Sequence, residues 1–457
     1  MKMKKILVIL FCVFILTLTL SLNGDKKGSE SQGFWMPDDP EAIAKYLNKF
    51  REKVKKERGV SKVCEAITEL SPVMQEFKNL IYCKDPVVRM YFTQMIDQVP
   101  GYYKENDPQG YLESIDEMLV LINAVLTTAP EFNETDLVGF PINAILDWTM
   151  GVPAGFDVFR LVEVNKMFKK ILIVWCHFLN SPESLYVLND SSNGWMCEAA
   201  AKAIKIWEFQ HDPKAPHWGF KSWNDFFTRT FKKGMRPTAY PEKNNIIVSA
   251  CESEVFQIAK NVKRNDWFWV KSQPYSLEDM LTKNKEDKKL NCDQHYKTYV
   301  EPFINGVVYQ AFLSALKYHR WHSPVSGTIK AAYNVDGTYY SEAESQGMDP
   351  AGPNLSQGYI AHVAARALIF IEAEDPVGLM CVMPIGMAEV SSCKIQDYIV
   401  PGYQVKKGEE LGYFQYGGSS YCLVFRPGVI KEFKHKNGKE VEIGDNIKVR
   451  EMIAVTN

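Results

Sequence analysis

The apolar residues of this chain change their spacing once, and that change limits the possible fold more than any other feature. Up to about residue 210 they recur at helical intervals. Ile43, Leu47, Phe50 and Val54 lie three or four apart, introduced by Asp39 in an N-cap position and Pro40 in the first turn. Stretches 114–127, 161–179 and 197–209 show the same periodicity and predict further helices. Beyond His211 the apolar runs shorten and become rich in β-branched and aromatic residues, at 246–248, 267–270, 306–312 and 367–371. Turn residues separate them, as at Val335-Asp336-Gly337 and Lys406-Lys407-Gly408. The expected fold class is therefore α+β, with a helical N-terminal domain over 35–210 followed by a β-rich domain over 211–457. The Gly-, Ser- and Pro-containing stretch 342–358 reads as a long surface loop, a length common in substrate-contacting elements.

The first residues carry a different signal. Lys2, Lys4 and Lys5 precede an apolar run over 6–22, which as a helix spans about 25 Å. Residues 1–24 read as a signal peptide or signal anchor and 25–34 as a polar linker, so the expected location is the secretory pathway or a membrane surface. Lys plus Arg number 53 against 55 Asp plus Glu, a net charge of −2. That balance excludes a whole-chain nucleic-acid binder and leaves no nucleic-acid partner expected. Ten cysteines, without a Cys-x-x-Cys pair or zinc spacing to the eight histidines, argue against a disulfide framework and a structural zinc site.

Three segments carry chemistry. In Tyr318-His319-Arg320-Trp321-His322-Ser323-Pro324 two histidines stand three apart, close enough on a helix or tight turn to serve one site. In Tyr416-Gly417-Gly418-Ser419-Ser420 two glycines free the backbone before a serine, the setting in which a hydroxyl can attack the preceding carbonyl. The third segment, Asn224-Asp225-Phe226-Phe227-Thr228-Arg229 with Arg236-Pro237, is aromatic and basic. Read singly, these are locally satisfied histidines, a glycine turn and a packed charged face.

Together and in this order they resemble the signatures of the phosphatidylserine decarboxylase family of pyruvoyl enzymes. Tyr318 to Pro324 is similar to its Tyr-His-Arg-x-His-x-Pro signature, and Gly418-Ser419-Ser420 to its Gly-Ser-Thr processing site. Within the family, Phe34-Trp35-Met36-Pro37-Asp38-Asp39 and Ala215-Pro216-His217-Trp218-Gly219-Phe220 resemble the fungal tryptophan decarboxylase subgroup. The resemblance implies self-cleavage between Gly418 and Ser419, with the two product chains staying associated. It also implies a covalent pyruvoyl cofactor derived from Ser419, His322 as processing base and His319 as the acid that reprotonates the substrate carbanion. No metal is implied. The family's processing aspartate falls on Cys251, so neighbouring Glu252 is expected to supply the carboxylate. Arg366 is expected to bind a substrate anion.

The expected activity is decarboxylation of phosphatidylserine, placed first because the leader suggests a membrane. The alternatives are a free aromatic amino acid such as tryptophan, or an unprocessed, non-catalytic binding homologue.

Overall fold

The computed structural model describes residues 40–99, 110–133, 140–267, 274–282, 292–314, 316–343, 356–389 and 392–457. Its N-terminal half is helical: α1 (Pro40–Arg58), α2 (Pro72–Asn79), α3 (Pro86–Asp97), α4 (Ile115–Val125), α5 (Pro141–Met150), α6 (Pro153–Val158), α7 (Val162–Leu179), α8 (Glu198–Ile204) and α9 (Trp223–Phe227). Proline opens α1, α2, α3, α5 and α6, because the first-turn N–H it lacks has no intrahelical acceptor. Ile43, Leu47, Phe50 and Val54 are all buried, as their spacing requires. Ser114 caps α4 by accepting from the Glu117 N–H. The run 197–209 forms a shorter helix than its periodicity suggests: Lys205 turns left-handed (φ 51°) and ends α8.

The C-terminal half is built on an eight-stranded antiparallel sheet. Its strands are β2 (Ser253–Val262), β3 (Gly306–Leu313), β5 (Gly327–Val335), β6 (Arg366–Ala373), β7 (Leu379–Gly386), β9 (Gln404–Val405), β11 (Ser419–Phe425) and β13 (Asn446–Ile447), in the order β13-β2-β3-β11-β7-β6-β5-β9. Two three-stranded sheets accompany it. One is β4 (Arg320–His322), β10 (Glu410–Gln415) and β8 (Ser392–Ile395), ordered β4-β10-β8. The other is β1 (Ile246–Val248), β14 (Met452–Thr456) and β12 (Ile430–Phe433), ordered β1-β14-β12.

Successive residues of β11 serve opposite faces of the large sheet. Tyr421, Leu423 and Phe425 pack with Trp321, Phe414, Ile247 and Ile453 from the small sheets. Cys422 and Val424 pack on the other face, with Leu277, Met280 and Leu281 of α10 (Leu277–Leu281), and Tyr359 and Ile360 of α12 (Gln357–Val363). Tyr296 and Tyr299 of α11 (Cys292–Tyr299) border that second core. With both faces covered, every residue of β11 is buried.

The two halves share a core. Tyr318, Tyr339, Tyr340, Tyr416 and Val449 pack into the helical cluster, as do Trp223, Phe226 and Phe227 of α9. The aromatic segment at 223–227 therefore joins the helices to the segments that carry the site.

Three expectations meet different outcomes here. Among the described residues no helix is long and apolar enough to cross a membrane. This corrects the secretory or membrane location: the apolar run at 6–22 that suggested it, with the linker, lies outside the described residues. Residues 344–355 of the expected long loop also lie outside them, as do 268–270 of an expected strand.

Candidate active site

Tyr416, Gly417 and Gly418 carry the chain from β10 in a small sheet to β11 in the large one, so this is an intersheet link and not a hairpin. Gly417 has φ 135°, which only glycine adopts without strain. Gly418 needs no such freedom: a Cβ placed there would meet nothing closer than Phe140 Cζ at 3.6 Å. Ser419 opens β11 between Leu313 of β3 and Gly386 of β7. It is fully buried, and among the described residues its Oγ has no hydrogen-bond partner. A buried, unpaired hydroxyl costs about 1–3 kcal/mol, so its presence at this position requires a reason.

The peptide unit before it is held from both ends. Gly418 N–H donates to Ala388 O at 3.0 Å, and Met387 N–H donates to Gly418 O at 2.9 Å. The second bond polarises the carbonyl that a Ser419 attack would target. Ser420, one residue on, faces the opposite side. Its Oγ bonds Gln357 Oε1 and Gln310 Nε2, each at 3.0 Å, which marks it as a fixed structural hydroxyl.

Around Tyr416 stands an aromatic shell. Its ring centroid lies 4.4 Å from Trp223, 5.0 Å from Phe227, 5.3 Å from Trp175 and 6.0 Å from Phe140. His319 is fully buried and stacks on Phe227 at 4.0 Å, which places it in this shell. His322 points elsewhere. The expectation that spacing of three would converge the histidines rested on a helix or turn, whereas Arg320–His322 is a strand. His322 Nε2 meets Tyr318 Oη at 2.9 Å, and Nδ1 meets Gly408 O and Arg450 Nη2, each at 3.0 Å. Burial, then the Arg450 guanidinium, lowers its pKa to about 3. That environment opposes the charging a general base undergoes, and no bond joins it to Ser419.

Glu252 bonds neither histidine and is held by other groups. Arg236 Nε reaches both its oxygens at 3.0 Å, Arg236 Nη2 reaches Oε1 at 2.7 Å, and Val449 N–H donates to Oε2 at 2.9 Å. Glu208 holds the same Arg236 Nη2 at 2.7 Å. Cys251 is buried, and burial raises its thiol pKa well above the usual value, so it stays neutral. Arg366 also lies outside the cluster. Its Nε, Nη1 and Nη2 donate to the carbonyls of Met280, Ala364 and Asp279 at 2.8, 3.0 and 2.8 Å. With its donors committed to backbone, it anchors α10 to β6. Arg229 plays a similar part, donating to Leu316 O at 3.0 Å and lying over the Phe209 ring.

Sequence reasoning missed Met387, Phe140, Arg450 and Glu389. Glu389 is fully buried, follows the Met387-Ala388 pair and accepts from Asn143 N–H at 2.7 Å. One signal was available: it is a single carboxylate in the apolar run Met383-Pro384-Ile385-Gly386-Met387-Ala388.

Known proteins match this arrangement across both halves. Family models described as phosphatidylserine decarboxylase match residues 71–204 and 223–449. The chain is 37% identical over 337 residues to a decarboxylase of Amanita muscaria, covering 69% of this chain and 91% of that protein. It is 31% identical over 445 residues to an L-tryptophan decarboxylase of Psilocybe cyanescens, covering 92% and 93%. A phosphatidylserine decarboxylase proenzyme of Halalkalibacterium halodurans is 33% identical over 231 residues, covering 50% and 77%. The fold and these matches define a carboxy-lyase. The chain belongs to the phosphatidylserine decarboxylase family.

Proposed function

We propose that the chain cleaves itself between Gly418 and Ser419 and then decarboxylates a free aromatic L-amino acid of the tryptophan type. The observation that carries the first part is the pairing of a buried, unpartnered Ser419 Oγ with a preceding carbonyl hydrogen-bonded by Met387 N–H. Attack of Ser419 Oγ on the Gly418 carbon breaks the C–N bond and moves the hydroxyl proton to the Ser419 nitrogen, converting amide to ester. Negative charge on the Gly418 oxygen during that shift meets the Met387 N–H. Elimination of the Gly418 carboxylate from the serine β-carbon, followed by hydrolytic loss of ammonia, leaves residues 1–418 and 419–457 as separate chains. Pairing of β11 with β3 and β7, of β13 with β2 and of β14 with β1 keeps them together.

The residues present fit a pyruvoyl group at position 419: the serine that supplies it is buried, orphaned and fixed at the head of a strand. When present, such a group supplies the electron sink that loss of CO2 at an α-carbon requires. The chain's own contribution is the Phe140, Trp223, Phe227 and Tyr416 shell, which excludes water and surrounds the Gly418–Ser419 link with apolar, aromatic side chains. His319, stacked within it, holds the proton returned to Cα.

The substrate order reverses the one the sequence suggested. Relatives aligned across both halves are named for amino-acid decarboxylation in Psilocybe, whereas the Halalkalibacterium lipid enzyme aligns over half the chain. The helical half reaches the cleavage site through Phe140, so its presence bears on the substrate. The test combines intact mass with release of labelled CO2 from carboxyl-labelled L-tryptophan and from carboxyl-labelled phosphatidylserine vesicles. Two chains and CO2 from tryptophan are expected. Release from the lipid alone overturns the substrate, and an active single chain overturns self-cleavage.

A further inference from the structure

Glu389 combines features that a packing residue does not need. It is fully buried, at the end of an apolar run, and its backbone is left-handed at φ 65°. For a residue other than glycine that conformation is uncommon and persists only where its surroundings enforce it. One carboxyl oxygen accepts from Asn143 N–H in the first turn of α5, where helical N–H groups lack intrahelical acceptors. The other oxygen, Oε2, is buried and within hydrogen-bonding geometry of no described residue, although the Ile142 N–H, like that of Asn143, favours the charged carboxyl. The two residues immediately before it, Met387 and Ala388, bond Gly418 on both sides.

We propose that Glu389 is a positioning residue for self-cleavage: by tying the Met387-Ala388 backbone to the N-terminus of α5, it holds the Met387 N–H on the Gly418 carbonyl. The inference rests on the self-cleavage reading above. It gives the helical half a part in forming the active enzyme, since the anchor lies in α5 and the neighbouring Phe140 packs against Gly418. Among the described residues, the titratable groups that the Glu389 charge acts on are Tyr46 from α1, Tyr340 from the segment after β5 and Tyr416 from the intersheet link. Burial raises the Glu389 pKa above its ordinary value, against the Asn143 and Ile142 N–H groups, which favour the charged form. Oε1 accepts from Asn143 N–H, and no proton is exchanged in this role.

The consequence is a specific order among variants. Glutamine is nearly isosteric with glutamic acid and retains the acceptor. Glu389→Gln should cleave within about 3-fold of wild type, with an unchanged pH profile. Glu389→Asp, one methylene short, and Glu389→Ala, without the anchor, should cleave about 10- to 100-fold more slowly, below the loss expected for outright removal of an oxyanion donor. Cleavage is followed by denaturing gel from freshly folded full chain, with wild type in parallel. Should Glu389→Ala fail to fold, the contrast between Gln and Asp decides. A second readout uses uncleavable Ser419→Ala protein, in which adding Glu389→Ala should speed hydrogen exchange around 385–389 and leave the rest of the β-half unchanged. Wild-type cleavage rates in both Asp and Ala variants, or a lost or pH-shifted cleavage in Gln, overturn the positioning role. A wild-type chain that never cleaves refutes the reading beneath it instead.

Discussion

Replacing Glu252 by glutamine separates a structural carboxylate from a chemical one. The side chain keeps its shape, but Arg236 loses a charged partner that it touches three times, at 3.0, 3.0 and 2.7 Å. Both side chains are nearly buried, at 9% and 14% exposure. Removing one partner of such a pair costs about 3–5 kcal/mol when the other charge is stranded. Arg236 is not stranded, because Glu208 still holds Nη2 at 2.7 Å, and the amide oxygen still accepts from Val449 N–H. The expected loss is therefore about 2–3 kcal/mol, below that range because a second carboxylate remains. With a urea slope of about 3 kcal/mol/M, the unfolding midpoint falls by roughly 0.7–1 M. Tryptophan fluorescence in urea measures this on Ser419→Ala protein, where cleavage cannot interfere. The same substitution in the cleavable chain should process at the wild-type rate, since Glu252 contacts neither histidine nor Ser419. A cleavage rate more than about 10-fold lower with an unmoved urea midpoint would refute this reasoning and restore the carboxylate to the chemistry.

Three further outcomes are expected. Gly417→Ala puts a side chain at φ 135° and should cost about 1–3 kcal/mol and slow cleavage, whereas Gly418→Ala has room and should fold normally; thermal midpoints and gels of both compare them. His322 has a folded pKa of about 3 against an unfolded value of about 6.5, so the unfolded chain binds the proton first as pH falls. Its contribution is complete above about pH 6.5 and is lost as pH falls toward about 3, so urea midpoints from pH 7 to 4 should decline less steeply in His322→Asn; an equal slope contradicts the assignment. Arg366→Lys should lower stability by about 2–4 kcal/mol through lost bonds to buried carbonyls, with KM unchanged; a raised KM at full stability would return Arg366 to the substrate.

How far the sequence could be read depended on how far apart the interacting residues lie. The start of α1 was legible because proline and apolar spacing fall within a few turns of Pro40, while the expected Asp39 cap lies outside the described residues. The runs at 246–248, 306–312 and 367–371 became β1, β3 and β6 because β-branched and aromatic content is a local property. Site geometry is not local. His319 and His322 diverge because their segment extends along β10, and nothing within it specifies that partner. Glu252 appeared to be a substitute for the missing aspartate until Arg236, sixteen residues before it, took both oxygens. Glu389 depends on a backbone N–H 246 residues earlier, beyond any motif. Arg366 is expected at a substrate anion by family resemblance, while its bonds go to three carbonyls that only the fold assembles.

The strand that begins at Ser419 lies in the middle of the large sheet, flanked by β3 and β7. Before the cut, folding is unimolecular, and β11 finds its slot while tethered through the Gly417 link. On the cleavage proposed above, the same fold would be a complex of two chains, and its unfolding would release the shorter one into solution. Recovery then requires a bimolecular encounter and insertion between two strands that would otherwise pair with each other or aggregate. The mature protein should therefore unfold irreversibly, with a lifetime set by its unfolding rate, while the Ser419→Ala precursor refolds on dilution from urea. The proposed cleavage would convert a refoldable chain into one that is kinetically trapped.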